Sequence, residues 1–454
     1  MSIFNGKRLP PEIFALDIDR LRQGFYSDQY FERTVDLLAK LSANGYSFQA
    51  DSPRLPHDTS QGADVGDMVV EAQWFTRREP QALIGGIDYA LALLRTCTGY
   101  VGPDGDFVNT WDQLEVEAVQ DGVLAGFSGD PMAVTPVLRV RGNYRHFALL
   151  ETLILGALTR ISRLATNTYE VMVAAHGKPI LFFPARYDLY HTQAADGYAY
   201  HLGVQRYNHD YNKSLRSFIS THAQGAWWEG QGSGTVPHAA VACFLGNTTE
   251  TMLQFAALEP PEVPRIALVD FNNDCVGTSL AVAYSMFDTF RRHKESGDDT
   301  EADKFRLFAV RLDTGSKVRD IALEPLGDPD LDLGVNPRLV WAVRQELNRA
   351  WESWDLPPDW QEEAKQYCEN IQIVATSGFS ADRIRHFEEL NVPVDIYGVG
   401  SSLMRNASDT STDFTQDVVR VKVSGEWVDM AKVGRRANDN PDLAPVPTDY
   451  GGAS

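Results

Sequence analysis

The chain has 454 residues, 43% of them hydrophobic and 23% charged, with a formal net charge of −21. This suffices for a large core spread over two or three domains without metal or disulfide staples. The negative charge argues against nucleic acid or an anionic membrane as a partner, since both call for a basic surface, and an anionic substrate would need a local cluster of Arg, Lys or helix N-termini. The four cysteines, Cys97, Cys243, Cys275 and Cys368, lie far apart and form no CxxC pair, which argues against a zinc site or a disulfide framework. The opening MSIFNGKRLPPEIFALD has no apolar core of a signal peptide, and no run of about 18 apolar residues occurs, so the expected setting is cytoplasmic.

Residues 1–150 read as a mixture of short strands and helices, with turns at Gly102 to Gly105 and at Gly129 to Pro131. A long helix is predicted from about Arg145 to Ala175, with Leu149, Leu150, Leu153, Ile154, Ala157 and Leu158 on one face. From Lys178 the rhythm changes to short apolar runs that end in polar residues or glycine: KPILFFPAR, RIALVD, LFAVRLDTG, IQIVATSG and VDIYGVGSS. Such runs suit strands buried on both faces. Helical stretches lie between them, one opening at the cap Asn336-Pro337 with Leu339, Val340, Val343, Leu347 and Trp351 on one face. Alternating strands and helices predict a parallel sheet, open or closed into a barrel, with its site at the C-terminal strand ends. Glu295 to Asp303 reads as an acidic surface loop, and the Pro- and Asn-rich tail from Arg435 as flexible.

Several strand ends carry candidate chemistry. Arg311 and Asp313 stand two apart on one strand and so share a face. They suit a phosphate grip and a Mg²⁺ ligand, or equally a buried structural ion pair. Asp270 ends another strand, as a second metal candidate or a turn aspartate. TSGFS and YGVGSS can each offer backbone N–H groups and hydroxyls to a phosphate, or serve as ordinary strand-to-helix turns. His238, in the glycine-rich GSGTVPHA, suits a general base, a phosphate ligand or a phosphoryl acceptor, or a loop histidine that only hydrogen-bonds. Thr221 and His222 precede Trp227 and Trp228, a pair that reads as core. Neither GxSxG nor HExxH occurs, so serine-hydrolase and zincin readings lack support.

In their order, SDQYFERT, LLETLILGALTRISRLATN, LFFPAR, GSGTVPHA, LVDFNND, VRLDTGS, IVATSGFS and VDIYGVGSSL resemble the nicotinate phosphoribosyltransferase family, from about Tyr26 to Leu403. The resemblance implies an α/β fold of the type II phosphoribosyltransferase kind: an irregular α/β barrel over 151–410 joined to a mixed α/β domain over 1–150. Residues 411–434 would pack back on that domain, and 435–454 would form the flexible tail. It also implies a homodimer with shared active sites. The reaction would join nicotinate to phosphoribosyl pyrophosphate with Mg²⁺ present and ATP as co-substrate, in NAD synthesis.

The resemblance assigns roles residue by residue. Tyr30 would reach across the dimer to one face of the pyridine ring, and Phe183 would cover the other. Arg186 would lie beside base and phosphates, His238 would become a phosphohistidine, and Arg311 would bind phosphate. Asp270 and Asp313 would order Mg²⁺ and the ribose hydroxyls, while Gly378, Gly400 and Ser401 would cradle the 5′-phosphate. Arg163, Arg186 and Arg311 would together make a local positive pocket. The chain departs from the family at Ala185-Arg186, where a double arginine is usual, and at Gly400-Ser401, where a glycine pair is usual. His222 stands near Thr221 where the nicotinamide-using relatives carry an aspartate, which favours a carboxylate-bearing base. The alternatives are a nicotinamide phosphoribosyltransferase, the related quinolinate reaction, and a non-catalytic barrel that binds a phosphorylated metabolite.

Overall fold

The computed structural model describes residues 6–55 and 62–450. The chain forms two compact units: Met1–Tyr169 with Tyr198–Asn212 and Arg405–Ser454, and Glu170–Gly197 with Lys213–Met404. The division falls inside the predicted long helix, observed as Glu151–Ala174, and not at residue 150. An unbroken helical period carries no mark of where the packing partner changes, so the sequence gives no sign of this boundary.

The first unit is built on a six-stranded antiparallel sheet, in the order Glu426–Asp429, Phe414–Val423, Val69–Thr76, Pro136–Asn143, Glu115–Ala118, Ala444–Pro445. The central strand Val69–Thr76 alternates as a two-faced strand should. Val70, Ala72 and Trp74 enter the main apolar cluster with Leu93, Val116 and Ile154. The other face carries Glu71, buried yet paired, its carboxylate accepting from Arg141 Nε at 2.6 Å and Arg420 Nη1 at 3.1 Å. The buried carboxylate is thus met by two guanidinium groups that themselves reach toward solvent.

Residues 435–450 follow a defined course over this sheet. Gln73 donates to Arg436 O at 2.9 Å, Arg139 to Asn438 O at 2.7 Å, and Trp111 Nε1 to Thr448 O at 2.9 Å. Composition suggests a flexible tail, but side chains of the sheet and of the turn at Trp111 take up its backbone carbonyls, and such contacts leave no periodic trace in sequence. The acidic stretch also differs from the expected loop: Asp299–Asp303 is a short helix, capped by Asp298 accepting from Glu301 N at 3.0 Å and anchored by buried Ala302.

The second unit carries the runs that begin at Lys178. They form a curled six-stranded parallel half-barrel in the order Ile266–Leu268, Ala309–Leu312, Gln372–Ala375, Ile396–Val399, Ile180–Phe182, Phe218–Ile219. The intervening helices include Cys275–Glu295, Pro337–Arg349 and Ala381–Glu389. Pro337–Arg349 starts where the sequence placed it, with Asn336 Oδ1 accepting from Leu339 N at 3.0 Å. Its residues Leu339, Val340, Val343 and Leu347 are fully buried, while Trp351 falls in the 3₁₀ turn that follows. No helix among the described residues is long and apolar enough to cross a membrane.

Candidate active site

The site follows from the two-residue period of the strands. Ile266, Ala309, Val374, Ile396 and the partly buried Leu181 pack as one layer, each from a different strand. Strand register places them on the same face of the sheet. Two residues further along, on that same face, stand Arg311, Thr376, Gly398 and Phe183. All four line a cavity of about 530 Å³, shared with Arg186, Tyr187, Ser220, His238, Asp313, Ser377, Gly378, Phe379, Gly400 and Ser401. An apolar layer therefore closes the floor, and the next layer turns polar at the C-terminal strand ends.

Arg311 is held by Thr235 and Val236, donating to Thr235 Oγ1 at 3.1 Å and Val236 O at 3.4 Å. Its buried Nε has no hydrogen-bond partner among the described residues. Burial lowers the pKa of its guanidinium, and the carboxylates of Asp313 and Asp270 oppose that shift. The fork is therefore fixed at two points and keeps capacity for an anion. Asp313 accepts at Oδ1 from the Thr376 hydroxyl at 2.6 Å, and Thr376 also lies 2.9 Å from Leu312 O.

His238 opens the short helix His238–Cys243 instead of sitting within the glycine-rich loop. Its Nε2 lies 3.0 and 3.1 Å from the two carboxylate oxygens of Asp270. Burial raises the carboxyl pKa of Asp270; the His238 hydrogen bond opposes this and the charge of Asp313 adds to it. A proton on Nε2 leaves the lone pair of the neutral ring on Nδ1.

Two loops complete the wall. Ser377 and Gly378 both take positive φ, 75° and 76°. Among the described residues no acceptor is found for the backbone N–H groups of Ser377, Gly378 and Phe379. The second loop, Gly400-Ser401, enters the 3₁₀ turn Ser401–Met404. A Cβ on Gly400 would come within 2.9 Å of the Tyr187 ring, so glycine admits the close approach.

Of the expected residues, the second unit brings Phe183, Arg186, His238, Asp270, Arg311, Asp313, Gly378, Gly400 and Ser401 to this site. Thr221 and His222 are not among the lining residues, and their neighbour Ser220 is. Thr221 donates to Gln193 Oε1 at 2.9 Å, and His222 Nδ1 accepts from Gly232 N at 3.3 Å. Tyr30 stands exposed on the helix Gln29–Ala43 of the first unit, and Arg163 lies on the first-unit part of Glu151–Ala174. Sequence reasoning passed over Ser220 and Tyr187, and took Thr376 only as part of TSGFS. The two-residue offset from a buried apolar position, Val374, would have singled out Thr376; Ser220 follows a strand of only two residues, too short to show that period, and Tyr187 ends a 3₁₀ turn. Among the described residues no group of three or more His, Cys, Asp or Glu side chains gathers as a metal site.

Neither a family model nor a curated protein sequence matches this chain. Solved structures do resemble it. A nicotinate-nucleotide pyrophosphorylase from Pyrococcus furiosus superimposes with a TM-score of 0.61 at 21% identity, over 94% of this chain and 84% of that one. Human nicotinic acid phosphoribosyltransferase superimposes with a TM-score of 0.53 at 16% identity, over 87% of this chain and 74% of that one. The chain thus has the fold of type II phosphoribosyltransferases, as the motif order implied.

Proposed function

We propose that the chain is a nicotinate phosphoribosyltransferase that forms nicotinate mononucleotide and pyrophosphate, works as a homodimer, and couples the reaction to ATP hydrolysis through His238. The observation that carries this reading is the meeting, in one cavity, of the His238–Asp270 pair, Arg311 with Asp313, and two loops rich in glycine and serine. The fold shared with two enzymes of pyridine nucleotide chemistry supports it.

The chemistry suits this inventory. The pyridine nitrogen carries a free lone pair, so its attack on the ribose C1 needs no strong general base. The N–C1 bond forms as the C1–oxygen bond to pyrophosphate breaks. The barrier lies in the departing charge and in the cationic character of the sugar. Arg311 faces the first, and the Asp313 carboxylate, oriented by Thr376, faces the second. Phe183 presents one face to the base, and Tyr30 from a second copy of the chain would present the other. Arg186 and Arg311 favour a carboxylate on the base.

Mg²⁺ would be held by the free oxygen of Asp313, with Asp270 nearby, and completed by substrate oxygens. One or two carboxylates plus phosphates is the usual arrangement for this ion. When bound it would neutralise pyrophosphate charge. Asp270 accepts from Nε2 and so leaves Nδ1 of His238 to attack the γ-phosphorus of ATP: the Nδ1–P bond forms, the bond to the bridging oxygen breaks, and ADP leaves.

The test is product formation from phosphoribosyl pyrophosphate and Mg²⁺, with nicotinate or nicotinamide, each with and without ATP. A mononucleotide from nicotinate alone, stimulated by ATP, is expected. Product from nicotinamide would reassign the base; product from neither would overturn the reading.

A further inference from the structure

Arg383 stands on the first turn of the helix Ala381–Glu389, behind the Ser377–Phe379 loop. Its guanidinium takes three main-chain carbonyls: Ser377 O at 2.8 Å and Gly378 O at 3.3 Å from Nη1, and Val335 O at 2.7 Å from Nη2. The group also stacks on Phe379, 4.5 Å from the ring centroid. Burial lowers its pKa, and among the described residues no carboxylate opposes that shift.

Two consequences follow. In a trans peptide the C=O and the next N–H lie in one plane and point in opposite directions. With Ser377 O and Gly378 O turned onto Arg383, the N–H groups of Gly378 and Phe379 are turned away from it. These N–H groups have no acceptor among the described residues, and their loop lines the cavity. Arg383 also sets a cation, without an anionic partner among the described residues, behind the same loop, where partial burial weakens screening.

We propose that Arg383 is the positioning residue of an anion cradle: from behind, it fixes the Ser377–Phe379 loop so that its N–H groups converge on a phosphate monoester, and its charge strengthens that binding. This rests on the reading that the cavity takes a phosphoribosyl substrate. It makes Arg383 neither a ligand contact nor a catalytic residue.

The experiment measures ribose 5-phosphate binding calorimetrically to the full chain and to Arg383→Gln and Arg383→Lys. Arg344→Gln is the control: Arg344 likewise donates to carbonyls, Ile371 O at 2.6 Å and Cys368 O at 3.0 Å, but does not line the cavity. Arg383→Gln should raise the Kd about tenfold or more, because a charge and a fork are lost together. Arg383→Lys, which keeps the charge, should fall between. Arg344→Gln should bind as the unaltered chain does, even where its melting temperature falls as far. If Arg383→Gln does not fold, the same comparison is made with Arg383→Lys. Unchanged affinity in both Arg383 variants, or an equal loss in Arg344→Gln, would overturn the role of Arg383 and leave the functional reading intact. Failure of the unaltered chain to bind ribose 5-phosphate would overturn the functional reading and this inference with it.

Discussion

His238 and Asp270 form an asymmetric pair: the imidazole is 45% exposed, the carboxylate that faces its Nε2 at 3.0 Å only 9%. In the proposed reaction the buried partner would set the tautomer and the exposed one would meet the substrate. His238→Ala should therefore abolish ATP stimulation and acid-labile protein phosphorylation while keeping some ATP-independent turnover. Asp270→Asn retains an acceptor for Nε2 but loses the charge that steadies the imidazolium, and should lower the ATP-stimulated rate about 10²-fold. Because burial raises the Asp270 carboxyl pKa, ATP stimulation should fall on acidification above the ordinary carboxylate range. Labelling with γ-labelled ATP across pH checks all three; equal phosphorylation of the His238→Ala protein would refute the assignment.

Tyr30 is 61% exposed, and its ring touches only its neighbour Phe31 at 4.4 Å among the aromatic contacts described. An exposed tyrosine on a helix face suits a role in a second copy of the chain. Tyr30→Ala should raise the apparent KM for the base about tenfold, since stacking contributes roughly 0.5–1.5 kcal/mol beyond area burial. Mixed with Asp313→Ala, each inactive or weak alone, it should regain activity, because mixed dimers would hold one intact site. Mixing without recovery would count against shared sites.

The strands of the second unit were legible because their two-faced burial leaves continuous apolar runs, and Asn336-Pro337 announced its helix through capping chemistry. Their polar ends, Arg311 and Asp313, were legible for the same reason: a charge closing an apolar run is conspicuous. Ser220, and not Thr221 or His222, lines the cavity; the short strand before it, Phe218–Ile219, carries too little period to fix which side chain turns inward. Arg383 was invisible as a site residue. Its partners are backbone carbonyls, which no side-chain pattern encodes.

Asp121 is fully enclosed in the first unit, accepting from Ile87 N at 2.8 Å and Tyr198 OH at 3.1 Å. Burial, with the nearby Asp88 charge adding, pushes its carboxyl up to about 7. A folded pKa above the unfolded one contributes stability at low pH that is lost as pH rises, here from about 4 to about 7. Asp121→Asn has the same shape, and its amide can donate to Tyr198 where the acid accepted. The variant should melt with the unaltered protein near pH 4 and higher above pH 7, by roughly 10 °C for a unit of this size. A scanning-calorimetry series over pH gives the answer; a constant offset at every pH would refute the titration of Asp121.

Gly398 tests how tightly the base site is built. A Cβ there would lie 2.5 Å from Thr376 Cγ2 and 2.9 and 3.1 Å from two ring carbons of Phe183. The backbone of each neighbour is held, Phe183 N donating to Val399 O at 2.9 Å and Thr376 N to Leu312 O at 2.9 Å, so the shift falls on their side chains. Gly398→Ala should therefore cost about 1–3 kcal/mol of stability through overpacking. It should also tilt the Phe183 ring out of its plane against the base and shift the hydroxyl that orients Asp313. The KM for nicotinate should rise about tenfold and kcat should fall, whereas the KM for phosphoribosyl pyrophosphate should move least, since the Ser377–Phe379 loop is held separately by Arg383. Steady-state kinetics with each substrate varied in turn separates these effects. An equal rise in both KM values would mean that Phe183 and the phosphate loop move as one body, and that the base face is not set by Gly398.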